Sequence, residues 1–221
     1  MIDALGPTEA ARNNVDPPSR SRFEDRSYQV DGPLHALRKE FNVLVKREAR
    51  GELAALKRVD PDRLENSAFF RLLTSCVPHQ FLGRGCVQIS APGSEVDMVR
   101  RFAAVAAIMA LRPDGLRPWG LGRAMADTGV SDLRLSMFLA ARGASFRDLA
   151  RRLARRLARD AEALPYLDLG RLLLMESLPE YVNETDSVRI AIAREFWRST
   201  RRVPRRNEGE ATNELSSHAG E

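Results

Sequence analysis

The residues best suited to chemistry are two cysteines and a histidine that lie close together in the sequence. Cys76, His79 and Cys86 follow a Cys-x2-His-x6-Cys spacing, and thiolate and imidazole groups are common zinc ligands. A structural zinc site takes four ligands, whereas this spacing lacks the fourth and matches no standard pair of zinc knuckles. We therefore expect no metal site, and we expect Cys76 to be a core residue at a helix end.

Histidine is too scarce to support most acid–base or nucleophilic sites. The chain has only His35, His79 and His218, and a Ser-His-Asp or Cys-His site needs one of them as its base. His35 borders a polar N-terminal segment, and His218 lies in an acidic C-terminal one. The segment 83–85, Gly-Arg-Gly, lacks the Lys-Ser/Thr and the following helix of a phosphate-binding loop. The sequence therefore predicts a protein that is not an enzyme and needs no cofactor.

Arginine is the charged residue type that the sequence concentrates most. Of 35 basic residues, only Lys39, Lys46 and Lys57 are lysines, and the estimated isoelectric point is 9.7. Residues 34–206 carry a net charge of +11, whereas residues 1–33 carry −2 and residues 207–221 carry −4. A basic body suggests a polyanionic partner. The planar fork of donors on a guanidinium suits phosphate in particular.

The segment 145–161 concentrates these arginines on one predicted amphipathic helix. At 100° per residue, its apolar stripe consists of Phe146, Leu149, Ala150, Leu153 and Leu157. The rest of the circle carries Arg147, Arg151, Arg152, Arg155, Arg156 and Arg159, offset only by Asp148 and Asp160. Cations at i,i+4 spacing repel one another, so this excess indicates an anionic ligand. The alternatives are a solvated helix face and a helix that lies on a membrane surface.

Hydrophobic periodicity predicts an all-α fold, a helical bundle of about eight helices over residues 34–206. A disordered arm over residues 1–33 and an acidic disordered tail over residues 207–221 are expected to flank it. The predicted helices cover about 34–50, 52–58, 67–75, 95–111, 121–128, 132–143, 145–161, 166–177 and 183–200, with Ser131 and Ser145 as N-caps and a loop over 77–94. No stretch approaches the ~20 apolar residues that span a bilayer. Without a signal peptide pattern either, we expect a cytoplasmic protein with no membrane partner.

Residues 121–140 offer one alternative function. Two short predicted helices around Gly129, Val130 and Ser131 resemble a helix-turn-helix, which would dock its second helix in a DNA major groove. The buried position four residues before the turn glycine is Met125 rather than a small residue. The candidate reading helix would present only Asp132, Arg134 and Ser136. A helix-turn-helix transcriptional regulator is therefore the second hypothesis.

The order of the helical segments resembles that of a known family. Residues 50–58 read Arg-Gly-Glu-Leu-Ala-Ala-Leu-Lys-Arg, similar to the Gly-x-x-Ala-x-Leu-Arg-Arg start of the CasB family. An Ala-rich helix over 102–111, the segments 121–125 and 133–142, the helix over 149–157 and a final helix containing Phe196-Trp197 follow in the same order. CasB is the small subunit of the type I-E CRISPR surveillance complex, Cascade. The resemblance covers about residues 34–200.

This resemblance implies an all-α, non-catalytic subunit that packs against a second copy of itself and against other Cascade subunits. Its basic surface is expected to hold the backbone of the guide RNA (crRNA) and of the target or displaced DNA strand, and so to stabilise the R-loop. The basic residues that match the family by position are Arg58, Arg101, Arg123, Arg134, Arg142, Arg151 and Arg152. With Arg147, Arg155 and Arg156 of the basic helix, they form the predicted nucleic-acid-binding surface. The arm, the loop 77–94 and the acidic tail depart from the family pattern.

Overall fold

Leucine, alanine and arginine are strong helix formers, and most of the described residues lie in α-helices. The computed structural model describes residues 21–78, 94–118 and 120–201, with side chains from residue 30 onward. Within these ranges the α-helices are α1 (Ser21–Lys46), α2 (Arg50–Lys57), α3 (Ser67–Cys76), α4 (Glu95–Met109), α5 (Leu121–Asp127), α6 (Asp132–Ala140), α7 (Gly143–Asp160), α8 (Tyr166–Met175) and α9 (Val182–Thr200). The predicted all-α bundle is confirmed.

Helices α4 and α8 form the centre of the bundle. Residues 101–110, the second half of α4 and its C-cap, are all buried, and so is every residue of α8 except Asp168 and Arg171. A helix that is apolar on all sides belongs in the interior of a protein. Helix α1 packs closely on α8 at Gly170, where a Cβ atom would lie 2.6 Å from Leu34 Cδ2. The remaining helices surround this pair.

Helices α5 and α9 pack against each other at unusually short range. A Cβ atom on Gly122 would collide with the carbonyl oxygen of Ile192 and would lie 2.8 Å from the backbone nitrogen of Phe196. Carboxylates on two other helices also accept hydrogen bonds from the amides in the first turn of α5. Gly122 N–H donates to Glu195 Oε2 at 3.1 Å, and Leu121 N–H donates to Asp168 Oδ2 at 3.3 Å. Carboxylates satisfy the free amides of a helix N-terminus and suit its dipole, so α9 and α8 fix the start of α5.

The predicted start of the first helix, near residue 34, is wrong, because α1 begins at Ser21 and includes Pro33. Asp31 is buried and accepts two hydrogen bonds from Arg171, from Nε at 2.7 Å and from Nη2 at 2.5 Å. This bidentate pair attaches the segment to α8 and makes it part of the fold. The rest of the predicted arm, the acidic tail over 207–221 and residues 79–93 of the predicted loop lie outside the described residues.

Two serines were predicted to be helix N-caps, and the structure confirms one of them. Ser131 caps α6 as predicted, since its Oγ accepts a hydrogen bond from Arg134 N–H at 3.4 Å. Ser145 does not cap α7, which begins two residues earlier at Gly143, where φ is +57°. Glycine adopts this left-handed conformation without a steric penalty, and it lets the chain turn sharply between α6 and α7.

The periodicity predicted no strands, but the structure contains a minimal parallel pair. Strand β1 (Leu116–Arg117) pairs with β2 (Leu164–Pro165), with Leu116 opposite Leu164. Two residues are too short to show the alternation by which a strand is recognised in a sequence. The pair joins the connection after α4 to the connection before α8. No helix in the described part of the chain is long and apolar enough to cross a membrane.

Candidate nucleic-acid interface

The basic helix α7 is amphipathic, and its apolar side faces the core. Phe146, Ala150, Ala154 and Leu157 are buried, whereas Leu149 and Leu153 of the predicted stripe are only half-buried. The buried side is therefore centred closer to Ala154 than the sequence predicted. At 100° per residue, this places Arg147, Arg151 and Arg155 on one flank of α7 and Arg152 and Arg156 on the other.

Four cations converge on the first flank. Lys57 and Arg58, at the C-terminal end of α2, line a groove of about 210 Å³ together with Arg151 and Arg155 of α7. We call this the α2–α7 groove; its other lining residues are Val59, Asp60, Ala107, Ile108 and Leu111. Among the described residues, none of the four cations forms an ion pair within 4 Å. The structure thus brings together three predicted arginines and Lys57, which the prediction omitted.

The second flank of α7 forms a larger and more apolar groove with α6. This α6–α7 groove, of about 370 Å³, is lined by Met125, Val130, Arg134, Met137, Phe138, Leu149, Arg152, Leu153 and Arg156. Arg134 and Arg152 are exposed. Arg156 is bound to the protein, since its Nη2 donates to the carbonyl oxygens of Thr128 at 2.5 Å and Gly129 at 3.1 Å. Its position supports a structural role, because these carbonyls end α5.

Three other predicted contacts are exposed but differ in their partners. Arg147 is exposed near the start of α7. Arg123 lies 3.4 Å from Asp127 on α5, with 72% of its side chain exposed. Arg142 donates to the carbonyl oxygens of Leu139 at 2.8 Å and Ala141 at 2.9 Å. Its guanidinium also lies 3.8 Å from Glu176 and from Asp186. Arg142 therefore joins the turn between α6 and α7 to α8 and α9.

The prediction that Arg101 contacts nucleic acid is wrong. Arg101 is only 4% exposed, and its Nε donates to Asp97 Oδ2 at 2.7 Å. Its Nη1 donates to three carbonyl oxygens at the C-terminal end of α8: Leu173 at 3.2 Å, Leu174 at 3.2 Å and Glu176 at 2.6 Å. A guanidinium satisfies the free carbonyls of a helix C-terminus well. The side chain is thus a buried strut between α4 and α8, and a phosphate has no access to it.

A further basic surface lies on α9, and of its residues only Trp197 belongs to a predicted motif. This α9 groove, of about 410 Å³, is lined by Ile190, Ala193, Arg194, Trp197, Arg198 and Arg201. Trp197 is 45% exposed, and its ring meets the buried ring of Phe196 edge to face, with centroids 5.5 Å apart. An arginine at i−3 and others at i+1 and i+4 around a tryptophan are the sequence signal that could have identified this surface.

Of the three residues with zinc-ligand chemistry, Cys76, His79 and Cys86, the structure describes only Cys76. Cys76 is buried at the end of α3, as predicted, and burial, with a smaller contribution from Glu40, raises the pKa of its thiol to about 11. A thiol with so high a pKa stays protonated and unreactive at neutral pH. His79 and Cys86 lie outside the described residues. Within the described ranges, no group of three His, Cys, Asp or Glu residues could hold a metal ion.

The helix pair proposed as a helix-turn-helix does form, with α5 and α6 joined through Gly129 at φ +65°. The exposed side of α6 is poorly suited to reading bases, however. Leu133 is 71% exposed and Met137 is 52% exposed, and neither can hydrogen-bond to a base edge in the way that major-groove recognition requires. The geometry therefore gives the regulator hypothesis no support beyond the turn itself.

Comparison with known proteins identifies the family. The family model of CRISPR-associated protein Cse2 matches residues 52–197, which is more than half of the chain and runs from α2 to Trp197 in α9. No curated protein and no solved structure matches the chain. The matched region contains all ten arginines of the predicted surface. The chain belongs to the CRISPR-associated protein Cse2 family, also called CasB, whose members are the non-catalytic small subunits of the type I-E Cascade complex.

Proposed function

We propose that this protein is the non-catalytic small subunit of a type I-E Cascade complex and that it holds nucleic-acid backbone in the α2–α7 groove. The observation that carries the proposal is the convergence of Lys57, Arg58, Arg151 and Arg155 with no ion pair among the described residues. Like charges at short range repel, so a purely structural surface would disperse or neutralise them. A phosphate backbone supplies the missing negative charge and releases its counterions on binding.

The energetics of R-loop formation explain why such a groove is useful. The RNA–DNA heteroduplex is about as stable as the DNA duplex that it replaces, so modest backbone contacts shift the balance. Base pairing reads the sequence, and the protein needs only phosphate contacts. The partners we propose are the crRNA, the target or displaced DNA strand, other Cascade subunits and a second copy of this chain. Binding is then sensitive to salt and tolerant of sequence, in the cytoplasm where the complex acts.

The test is the double variant R151A/R155A, assayed for nucleic-acid binding over a range of salt concentrations. Neither residue is among the buried residues of α7, so the fold should be retained, which a thermal melt checks. Each lost phosphate contact lowers the slope of log K against log salt by roughly 0.7–0.9. We therefore expect weaker binding and a slope that is shallower by about 1.4–1.8.

The matched control is R71A/R159A, which removes the same charge from two exposed arginines that already have acidic neighbours. Arg71 lies 3.9 Å from Glu52, and Arg159 lies 2.6 Å from Asp160. The control should retain most of the affinity and nearly the full salt slope. Equal losses in the two variants would show that net charge alone controls binding. An unchanged slope in R151A/R155A would remove the α2–α7 groove as the contact surface.

A further inference from the structure

We propose that the α9 groove is a second binding site, specific for single-stranded nucleic acid, in which Trp197 stacks on a base and Arg194, Arg198 and Arg201 bind the flanking phosphates. This inference rests on the proposed function, because it names the class of strand that a nucleic-acid-holding subunit would take at this surface. Its lining residues are not shared with the α2–α7 groove, so the two proposals can fail separately.

The fold fixes α9 with this face outward. Ile192 and Phe196 are buried, and the close approach of α5 at Gly122 holds the inner side of the helix. Ile190, Arg194, Trp197, Arg198 and Arg201 are all exposed. Their i, i+4, i+7, i+8 and i+11 spacing places them on one side of the helix. The face is therefore a fixed surface of a well-packed helix.

The charge of the groove favours a polyanion. Three arginines line it, no carboxylate does, and none of the three forms an ion pair within the described part of the chain. The nearest acid in sequence, Glu195, is turned toward α5, where its Oε2 accepts the Gly122 amide at 3.1 Å. A helix C-terminus attracts cations for its own stability. That effect accounts for the arginines alone and leaves the exposed tryptophan unexplained.

Trp197 supplies the preference for a single strand. Its ring is held edge to face on buried Phe196, with an interplanar angle of 90°, so a base that stacks on it meets a surface that is already oriented. Single-stranded bases stack readily on exposed aromatic rings regardless of sequence. Bases in a duplex are already stacked on their neighbours and are not available. An exposed indole among arginines is thus matched to an unpaired nucleotide rather than to an apolar protein surface.

The experiment uses the full chain with Trp119 replaced, W119F, because the protein has two tryptophans and Trp197 then gives the only indole signal. The titrants are a single-stranded oligonucleotide and a duplex with the same number of phosphates. We expect the single strand to quench the fluorescence of Trp197 and the duplex to leave it nearly unchanged. Equal quenching by both, or quenching by neither, would overturn the proposal.

Affinity measurements on W197A complete the test, with V182A as the control that removes exposed apolar area from the same helix outside the groove. W197A should lower the affinity for the single strand roughly tenfold and leave duplex affinity unchanged, while V182A should change neither. If W197A instead changes only self-association in sedimentation, the face is an interface between copies and the proposal is wrong. R151A/R155A, measured in parallel, reports on the α2–α7 groove independently.

Discussion

Arginine has two opposite roles in this molecule, and the surroundings of each side chain decide which one it takes. Arg151 and Arg155 line the α2–α7 groove, and neither forms an ion pair within 4 Å with a described residue. Arg189 is 7% exposed and pairs with the equally buried Glu176, whose carbonyl oxygen accepts a hydrogen bond from Arg101. The buried arginines, Arg101 and Arg189, join α4, α8 and α9 in the interior. The count of arginines therefore overstates the charge that is available to a ligand.

Replacing Arg101 by alanine tests this division at the level of one residue. The change would remove a partner of Asp97 and would leave three buried carbonyl oxygens without the guanidinium that they now share. Breaking a buried, hydrogen-bonded charge pair by removing one member costs about 3–5 kcal/mol. We expect the free energy of unfolding, measured with urea, to fall by that amount.

The single variant R155A is the comparison, since Arg155 is exposed and exposed positions change stability by less than about 0.5 kcal/mol. The salt slope of nucleic-acid binding should change in R155A and stay the same in folded R101A. If R101A retained its stability, the buried contacts of Arg101 would not hold α4 and α8 together.

At the level of elements, the packing of α5 on α9 depends on the absence of a side chain at Gly122. In G122A the new methyl group would meet backbone atoms of α9, which cannot move without displacing the helix. Overpacking of this kind costs about 1–3 kcal/mol. We expect a lower melting temperature, measured by circular dichroism, and a displaced α9.

Gly51 provides the matched control for G122A. It lies in α2, and a Cβ atom added there would meet nothing within 4 Å. Alanine is favoured over glycine inside a helix by about 0.5–1 kcal/mol, so G51A should raise the melting temperature. A loss of stability in both variants, or in neither, would contradict the assignment of the close contact to the α5–α9 pair.

The elements of this fold were largely predictable, because helix signals are local. The order of helices, the buried face of α7 around Phe146 and the N-cap at Ser131 all follow from spacing within a few residues. The start of α1 was missed because its attachment to the fold is long-range. Asp31 meets Arg171, 140 residues away in the sequence, and no periodicity reveals such a pair.

The sequence predicted several arginines of the candidate site, but it did not predict which cations lie next to one another in the fold. Charge patterning on α7 predicted Arg151 and Arg155, but their proximity to Lys57 and Arg58 depends on how α2 and α7 both pack on α4. The sequence carries a signal that Arg101 is buried: it stands four residues after Asp97 and directly before the apolar run 102–111. An i,i+4 ion pair at the edge of such a run favours a buried, neutralised charge over a ligand contact.

At the level of the whole molecule, charge is divided unevenly along the chain. Residues 34–206 carry +11, and the last fifteen residues carry −4 without a single lysine or arginine. Acidic residues tethered to a basic body lower its potential and compete with any polyanion for the same surface. The strength of this effect falls with salt, since charges separated by more than a Debye length of about 8 Å at physiological ionic strength are largely screened.

Removal of residues 207–221 is therefore expected to strengthen nucleic-acid binding. The deletion raises the formal net charge from +5 to +9, so the affinity gain should be largest at low salt and should disappear as salt screens it. The matched variant keeps the tail and neutralises it, E208Q/E210Q/E214Q/E221Q. If charge is the cause, this variant binds as tightly as the truncated protein. If it binds like the unmodified chain while the truncation binds more tightly, the tail acts by occupying space, and the electrostatic explanation fails.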